Sequence, residues 1–144
     1  MTDRSGDIGI VGLGVMGANL ARNLASRGHR VVAWTRNLEG AHRLAARHPE
    51  ADLAIAQDLP SLVRALKRPR CILAMVPAGD PVDTVLDALD PLLDADDVVV
   101  DGGNSLFTDT DRRVARAAYR PWQFVGMGVS GGSEGALHGP SLMP

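Results

Sequence analysis

The sequence holds a single cysteine, Cys71, so it can form no disulfide within itself and suits a reducing compartment. Lysine is as scarce: Lys67 is the only one. No apolar run approaches the roughly 18 residues that a membrane span needs. Excess charge of one sign is missing as well. A net charge of −2 gives no electrostatic basis for binding nucleic acid or a membrane surface. The polar start, Met1 to Asp7, lacks the apolar centre of a signal peptide. His29, His42, His48 and His138 have no metal-ligand spacing, and no metal is expected. The chain therefore reads as a cytoplasmic protein. Aromatic residues make up only 3%, while Ala, Val and Leu are abundant, which suits helices packed on a parallel sheet. At 144 residues the chain is long enough for one domain with a real core, and residues 1–144 are taken as that domain.

What is present is arranged around Gly12-Leu13-Gly14-Val15-Met16-Gly17, a G-x-G-x-x-G turn. The apolar run Ile8–Val11 before it reads as a strand. The stretch Ala18–Ala25 after it has helical spacing. Strand, glycine turn and helix together make a dinucleotide-binding fingerprint. Its glycines allow a tight turn, close approach to a pyrophosphate, and close packing of helix on sheet. The helix start then offers free N–H groups and partial positive charge to phosphate.

Downstream, Gly28 reads as the residue that ends this helix, and His29–Trp34 as a second strand. Helices are predicted over Glu39–Arg47, Leu59–Lys67 with Asp58 as its cap, Val82–Leu93 and Thr108–Tyr119. Strands are predicted over Asp52–Ala56, Arg70–Val76, Asp97–Asp101 and from Trp122 to Val125. The last twenty residues read as irregular, glycine-rich and mobile. The alternation predicts an α/β fold: a Rossmann-like, doubly wound parallel sheet of about six strands. Ligands in such sheets bind beyond the carboxyl ends of the strands.

The end of the second strand bears on the choice of cofactor. An acid there would hold a ribose 2′-hydroxyl and repel a 2′-phosphate, but the chain has Thr35-Arg36-Asn37. Arg36 can form a forked, charge-assisted contact with phosphate, which points to NADP. Other charges have plainer readings. Arg64, Lys67, Arg68 and Arg70 read as a solvated basic face, Asp94, Asp96 and Asp97 as a solvated turn, and Glu134 as a loop charge.

The motifs GLGVMG at 12–17, Arg36-Asn37, Met75-Val76-Pro77-Ala78-Gly79, Asp101-Gly102-Gly103-Asn104-Ser105, and GVSGGSEGA at 128–136 with GPSLMP at 139–144 resemble 6-phosphogluconate dehydrogenase. The resemblance runs over essentially the whole chain. It implies NADP-dependent oxidation of the 3-hydroxyl of 6-phosphogluconate, then loss of CO₂ to give ribulose 5-phosphate in the pentose phosphate pathway. By position it implies that Gly12, Leu13, Gly14, Val15, Met16 and Gly17 hold the pyrophosphate. Thr35, Arg36 and Asn37 fall to the adenosine phosphate, and Val76, Pro77 and Ala78 lie along the cofactor. Asn104 is implied to touch both nicotinamide and substrate, and Ser130, Gly131 and Gly132 to bind substrate. Pro77 departs from the family's long-chain members, which carry lysine there. The V-P-A-G form occurs in shorter relatives that prefer NAD, so NAD stays open.

The family's catalytic lysine and glutamate, and the helical domain through which its subunits form homodimers, lie beyond the V-S-G-G motif. No catalytic residue is assigned within this chain, which is expected to be a fragment without activity alone. Two alternatives remain: a stand-alone NADP-binding or sensing module, and the cofactor domain of another β-hydroxyacid dehydrogenase.

Overall fold

The first strand, β1 (Ile8–Val11), forms the middle of a sheet in a computed structural model that describes residues 4–144. Met1 to Asp3, part of the polar start, lie outside the described residues. The chain continues through α1 (Val15–Ser26), β2 (Val31–Trp34), α2 (Leu38–Arg47), β3 (Leu53–Ile55), α3 (Leu59–Ala65) and β4 (Cys71–Ala74). Next come α4 (Asp80–Leu89), a short 3-10 turn at Asp90–Leu92, β5 (Val98–Asp101), α5 (Phe107–Ala117) and β6 (Gln123–Gly126). The six strands are all parallel, in the order β3-β2-β1-β4-β5-β6. This is the expected doubly wound Rossmann-like sheet, with the order reversing between β1 and β4.

Local chemistry sets the element ends. Asp58 accepts from the Ser61 N–H at 2.7 Å and starts α3. Asn37 does the same for α2 through the Gly40 N–H, at 2.9 Å. Gly28, at φ +89°, closes α1 as expected. All five predicted helices differ from their predicted bounds: α2 gains Leu38, α3 ends at Ala65, α4 ends at Leu89, and α5 runs Phe107–Ala117. α1 starts at Val15, so Gly17 lies inside it. α4 starts at Asp80, because Pro81 fits a first turn where its missing N–H has no helical partner anyway.

One apolar layer lies under α3, α4 and α5, around Leu62, Ile72, Val82, Leu89 and Val99. A second lies under α1, around Ile10, Leu20, Val31 and Leu73.

The tail corrects its reading. Residues 128–143 are ordered as β7 (Gly128–Ser130), α6 (Gly132–His138) and β8 (Ser141–Met143), with β7 and β8 paired antiparallel. Helix α6 is fastened to α1. Asn19 donates to the Ser133 carbonyl at 2.9 Å, Asn23 to Ala136 at 3.1 Å, and Arg27 to His138 at 3.2 Å. Elements this short leave no readable periodicity, and their order comes from contacts with a helix more than a hundred residues away.

Two charge readings are also corrected. Arg70 is 7% exposed and Asp97 is 0% exposed, so neither is solvated. Arg70 donates to Asp97 at 2.8 Å, to Asp94 at 2.9 Å and to the Val63 carbonyl at 3.0 Å. Asp97 also accepts the N–H of Arg70 and of Asp94. Burial pushes the Asp97 carboxyl upward, but these donors outweigh it and hold it below the usual carboxylate range. The pair knits the amino-terminal edge of the sheet. Lys67 lies at that same edge, 2.7 Å from Asp7.

Candidate functional site

Each parallel strand ends at the opposite, carboxyl edge, and there the predicted residues gather. Gly12 leaves β1 at φ +98°, and a Cβ on it would lie 2.5 Å from the Met75 carbonyl oxygen. A Cβ on Gly17 would strike the Gly12 carbonyl oxygen. Both glycines are thus demanded by the protein itself. Gly14 is different. It has an ordinary φ of −65°, and a Cβ there would meet nothing within 4 Å. Nothing inside the fold requires glycine at this point.

Gly14 is the residue preceding α1, whose first turn has no side-chain cap and no acid. The first amides therefore face outward, uncompensated, at the positive end of the helix. This arrangement fits a pyrophosphate.

Two hollows flank this turn, and a third lies farther along the same edge. One, about 280 Å³, is lined by Leu13, Gly14, Val15, Thr35 and Asn37. A second, about 390 Å³ and mostly apolar, runs from Gly12 past Thr35 and Arg36 to Val76, Pro77 and Pro81. It suits a flat aromatic base beside a ribose. Arg36 is exposed on its wall, with no acid alongside it at the end of β2. Met16 is only half-buried and packs into the layer under α1. Ala78 is exposed and lines neither hollow.

The third hollow, about 300 Å³, lies beyond β5 and β6, lined by Asp101, Asn104, Ser105, Thr110 and Met127. Asn104 has φ +56°, rare for a residue with a side chain. Its amide spans to the tail, donating to the Val129 carbonyl at 3.0 Å and accepting the Val129 N–H at 2.9 Å. Those two bonds place Ser130 next to Asn104 in the fold. Ser130, Gly131 and Gly132 are exposed and line none of the three hollows.

Sequence reasoning missed Arg113. It is 1% exposed and pairs with Asp83 at 3.0 Å and Asp101 at 3.5 Å. Arg113 first, then Arg112, holds the Asp83 carboxyl well below the usual carboxylate range. One signal was available: Arg113 and Ala117 are spaced i, i+4 and form the buried face of α5. Among the described residues, no group of three or more His, Cys, Asp or Glu could hold a metal ion. No helix among them is long and apolar enough to cross a membrane.

The model of a known family, described as the NAD binding domain of 6-phosphogluconate dehydrogenase, matches residues 7–144. The decarboxylating 6-phosphogluconate dehydrogenase of Synechococcus elongatus is 50% identical over 137 residues, covering 94% of this chain. The chain spans about 29% of that relative's length. The 6-phosphogluconate dehydrogenase of Plasmodium falciparum, solved in apo form, with NADP+ and with 6-phosphogluconate, superposes with a TM-score of 0.91 at 32% identity. That match covers 96% of this chain and 30% of the other. The 3-hydroxyisobutyrate dehydrogenase of Mycobacterium tuberculosis matches with a TM-score of 0.79 at 25% identity, over 93% of this chain and 44% of the other. Over residues 7–144, this chain belongs to the family of the NAD binding domain of 6-phosphogluconate dehydrogenase.

Proposed function

We propose that this chain is the cofactor-holding part of an NADP-dependent 6-phosphogluconate dehydrogenase. The observation that carries the NADP assignment is Arg36, exposed at the end of β2 beside the Gly12–Gly17 turn, where an NAD enzyme keeps an acid. In this reading the open amides at the start of α1 hold the pyrophosphate. Thr35 and Arg36 hold the 2′-phosphate, and the hollow walled by Val76 and Pro77 receives the adenosine part. Asn37 contributes by capping α2 behind them. Bound in this way, the nicotinamide supplies a hydride acceptor.

Asn104 and Ser130 lie at the nicotinamide end. Once its two bonds to Val129 are made, the Asn104 amide keeps one N–H and one lone pair for a ligand. The Ser130 hydroxyl and the amides of Gly131 and Gly132 bind the acidic substrate, 6-phosphogluconate. Lys67 plays no part in proton transfer, since it is tied to Asp7 at the far edge. The 144 residues alone bind NADP without turnover.

Titration of NADP and NAD into the parent chain and into Arg36→Ala tests the reading. Loss of a charged phosphate contact is worth about 1.5–3 kcal/mol, so the NADP/NAD affinity ratio should fall about tenfold or more. An unchanged ratio sinks the assignment. A second reading, the cofactor half of another β-hydroxyacid dehydrogenase, is favoured by Pro77. A panel of β-hydroxy acids on the full-length protein separates the two.

A further inference from the structure

Arg113 lies behind the site, with its side chain wholly buried. All five of its N–H donors have acceptors. Nε and Nη2 fork onto Asp83 at 3.0 and 3.1 Å, and Nη2 also reaches the Gly79 carbonyl at 3.0 Å. Nη1 reaches the Ser105 hydroxyl at 3.0 Å and Asp101 at 3.5 Å. These acceptors belong to the loop after β4, the first turn of α4, and the 101–105 loop. Only a planar fork with five donors can serve all of them at once.

The bonds continue outward. Asp101 accepts the Gly103 N–H at 2.9 Å and the Ser105 hydroxyl. Between those two anchored residues sits Asn104, at its positive φ. A side-chain-bearing residue keeps that conformation when its surroundings impose it. Asn104 in turn holds both backbone groups of Val129, and Ser130 follows.

We propose that Arg113 is a positioning residue: through Asp101 and Ser105 it fixes Asn104, and through Asn104 the Val129–Ser130 backbone, relative to the Gly79 loop beside the cofactor hollow. An apolar side chain could fill the same volume but could not set these directions. What the fixed loop faces rests on the NADP reading above, whereas the chain of contacts does not.

Hydrogen exchange read residue by residue tests this in the 144-residue chain, comparing parent, Arg113→Lys and the milder Ser105→Ala. The Gly103 and Val129 amides touch Arg113 nowhere, and each is bonded to a side chain in the relay. Both should exchange about tenfold faster in either variant, while amides of α1 keep the parent rate. Affinity for adenosine 2′,5′-bisphosphate, which occupies only the Arg36 end, should stay within about twofold. A Val129 amide as slow as in the parent overturns the proposal, and so does an equal acceleration of every amide. If Arg113→Lys fails to fold, Ser105→Ala decides alone. If the parent does not bind adenosine 2′,5′-bisphosphate, the NADP reading falls and the exchange data still judge Arg113.

Discussion

Replacing Arg70 with alanine removes a guanidinium that is 7% exposed and sits at the amino-terminal edge of the sheet. Asp97, fully buried, then keeps only the N–H of residue 70 and that of Asp94. The Val63 carbonyl loses its side-chain donor as well. Breaking one side of a buried pair costs about 3–5 kcal/mol, because the other charge stays behind. A solvated arginine, as the sequence suggested, would cost within about 0.5 kcal/mol. At this chain length the unfolding entropy is about 0.3 kcal/mol/K, so Tm should fall by roughly 10–17 °C. The loss should also depend on pH in a set direction. In the parent, the folded-state carboxyl of Asp97 lies below its ordinary value. It therefore adds stability above that value, and the contribution fades as pH falls through the folded pKa. Without Arg70, burial acts against fewer donors, so protonating Asp97 relieves the variant. The gap between parent and variant should narrow from about pH 7 to about pH 4. Urea unfolding followed by circular dichroism at both pH values measures it. A loss below about 1 kcal/mol at the higher pH, or a gap that does not narrow, refutes the reasoning. Cofactor affinity of the folded variant should equal the parent's, because Arg70 and the site lie at opposite edges.

Three further variants carry predictions. Gly14→Ala should fold with less than about 1 kcal/mol of lost stability, since its Cβ meets nothing. Gly17→Ala, whose Cβ strikes the Gly12 carbonyl, should lose stability as well as binding, and calorimetry with titration separates the two. Asp83 is held below the usual carboxylate range by Arg113 and Arg112, so it adds stability above the ordinary pKa of about 3.9 that disappears as pH falls below it. Asp83→Asn should flatten the acid side of the Tm–pH profile, and an unchanged slope counts against the assignment.

The six parallel strands and the helices between them were legible because buried strands such as Val31–Trp34 and Val98–Asp101 are apolar runs bounded by turn residues. The turn at Gly12–Gly17 was legible because its glycines are locally spaced. Arg70 with Asp97, and Arg113 with Asp83, were not. Their partners lie 27 and 30 residues away, and a charge looks solvated until its partner is known. Asn104 was singled out only through the family resemblance. Its hold on Val129 was not, because that bond spans 25 residues into a tail with no periodic pattern.

Helix α1 carries a consequence of its own. Its first turn is uncapped beside Gly14, and its later residues Asn19, Asn23 and Arg27 carry α6, which begins where the Ser130–Gly132 segment ends. From Asn19 to Arg27 the axial rise is about 12 Å. The helix thus works as a ruler between the glycine turn and the tail. Lengthening a surface loop leaves the ruler unaltered. Inserting one residue between Gly17 and Asn19 would turn the asparagines about 100° away from α6 and leave the tail without its mount.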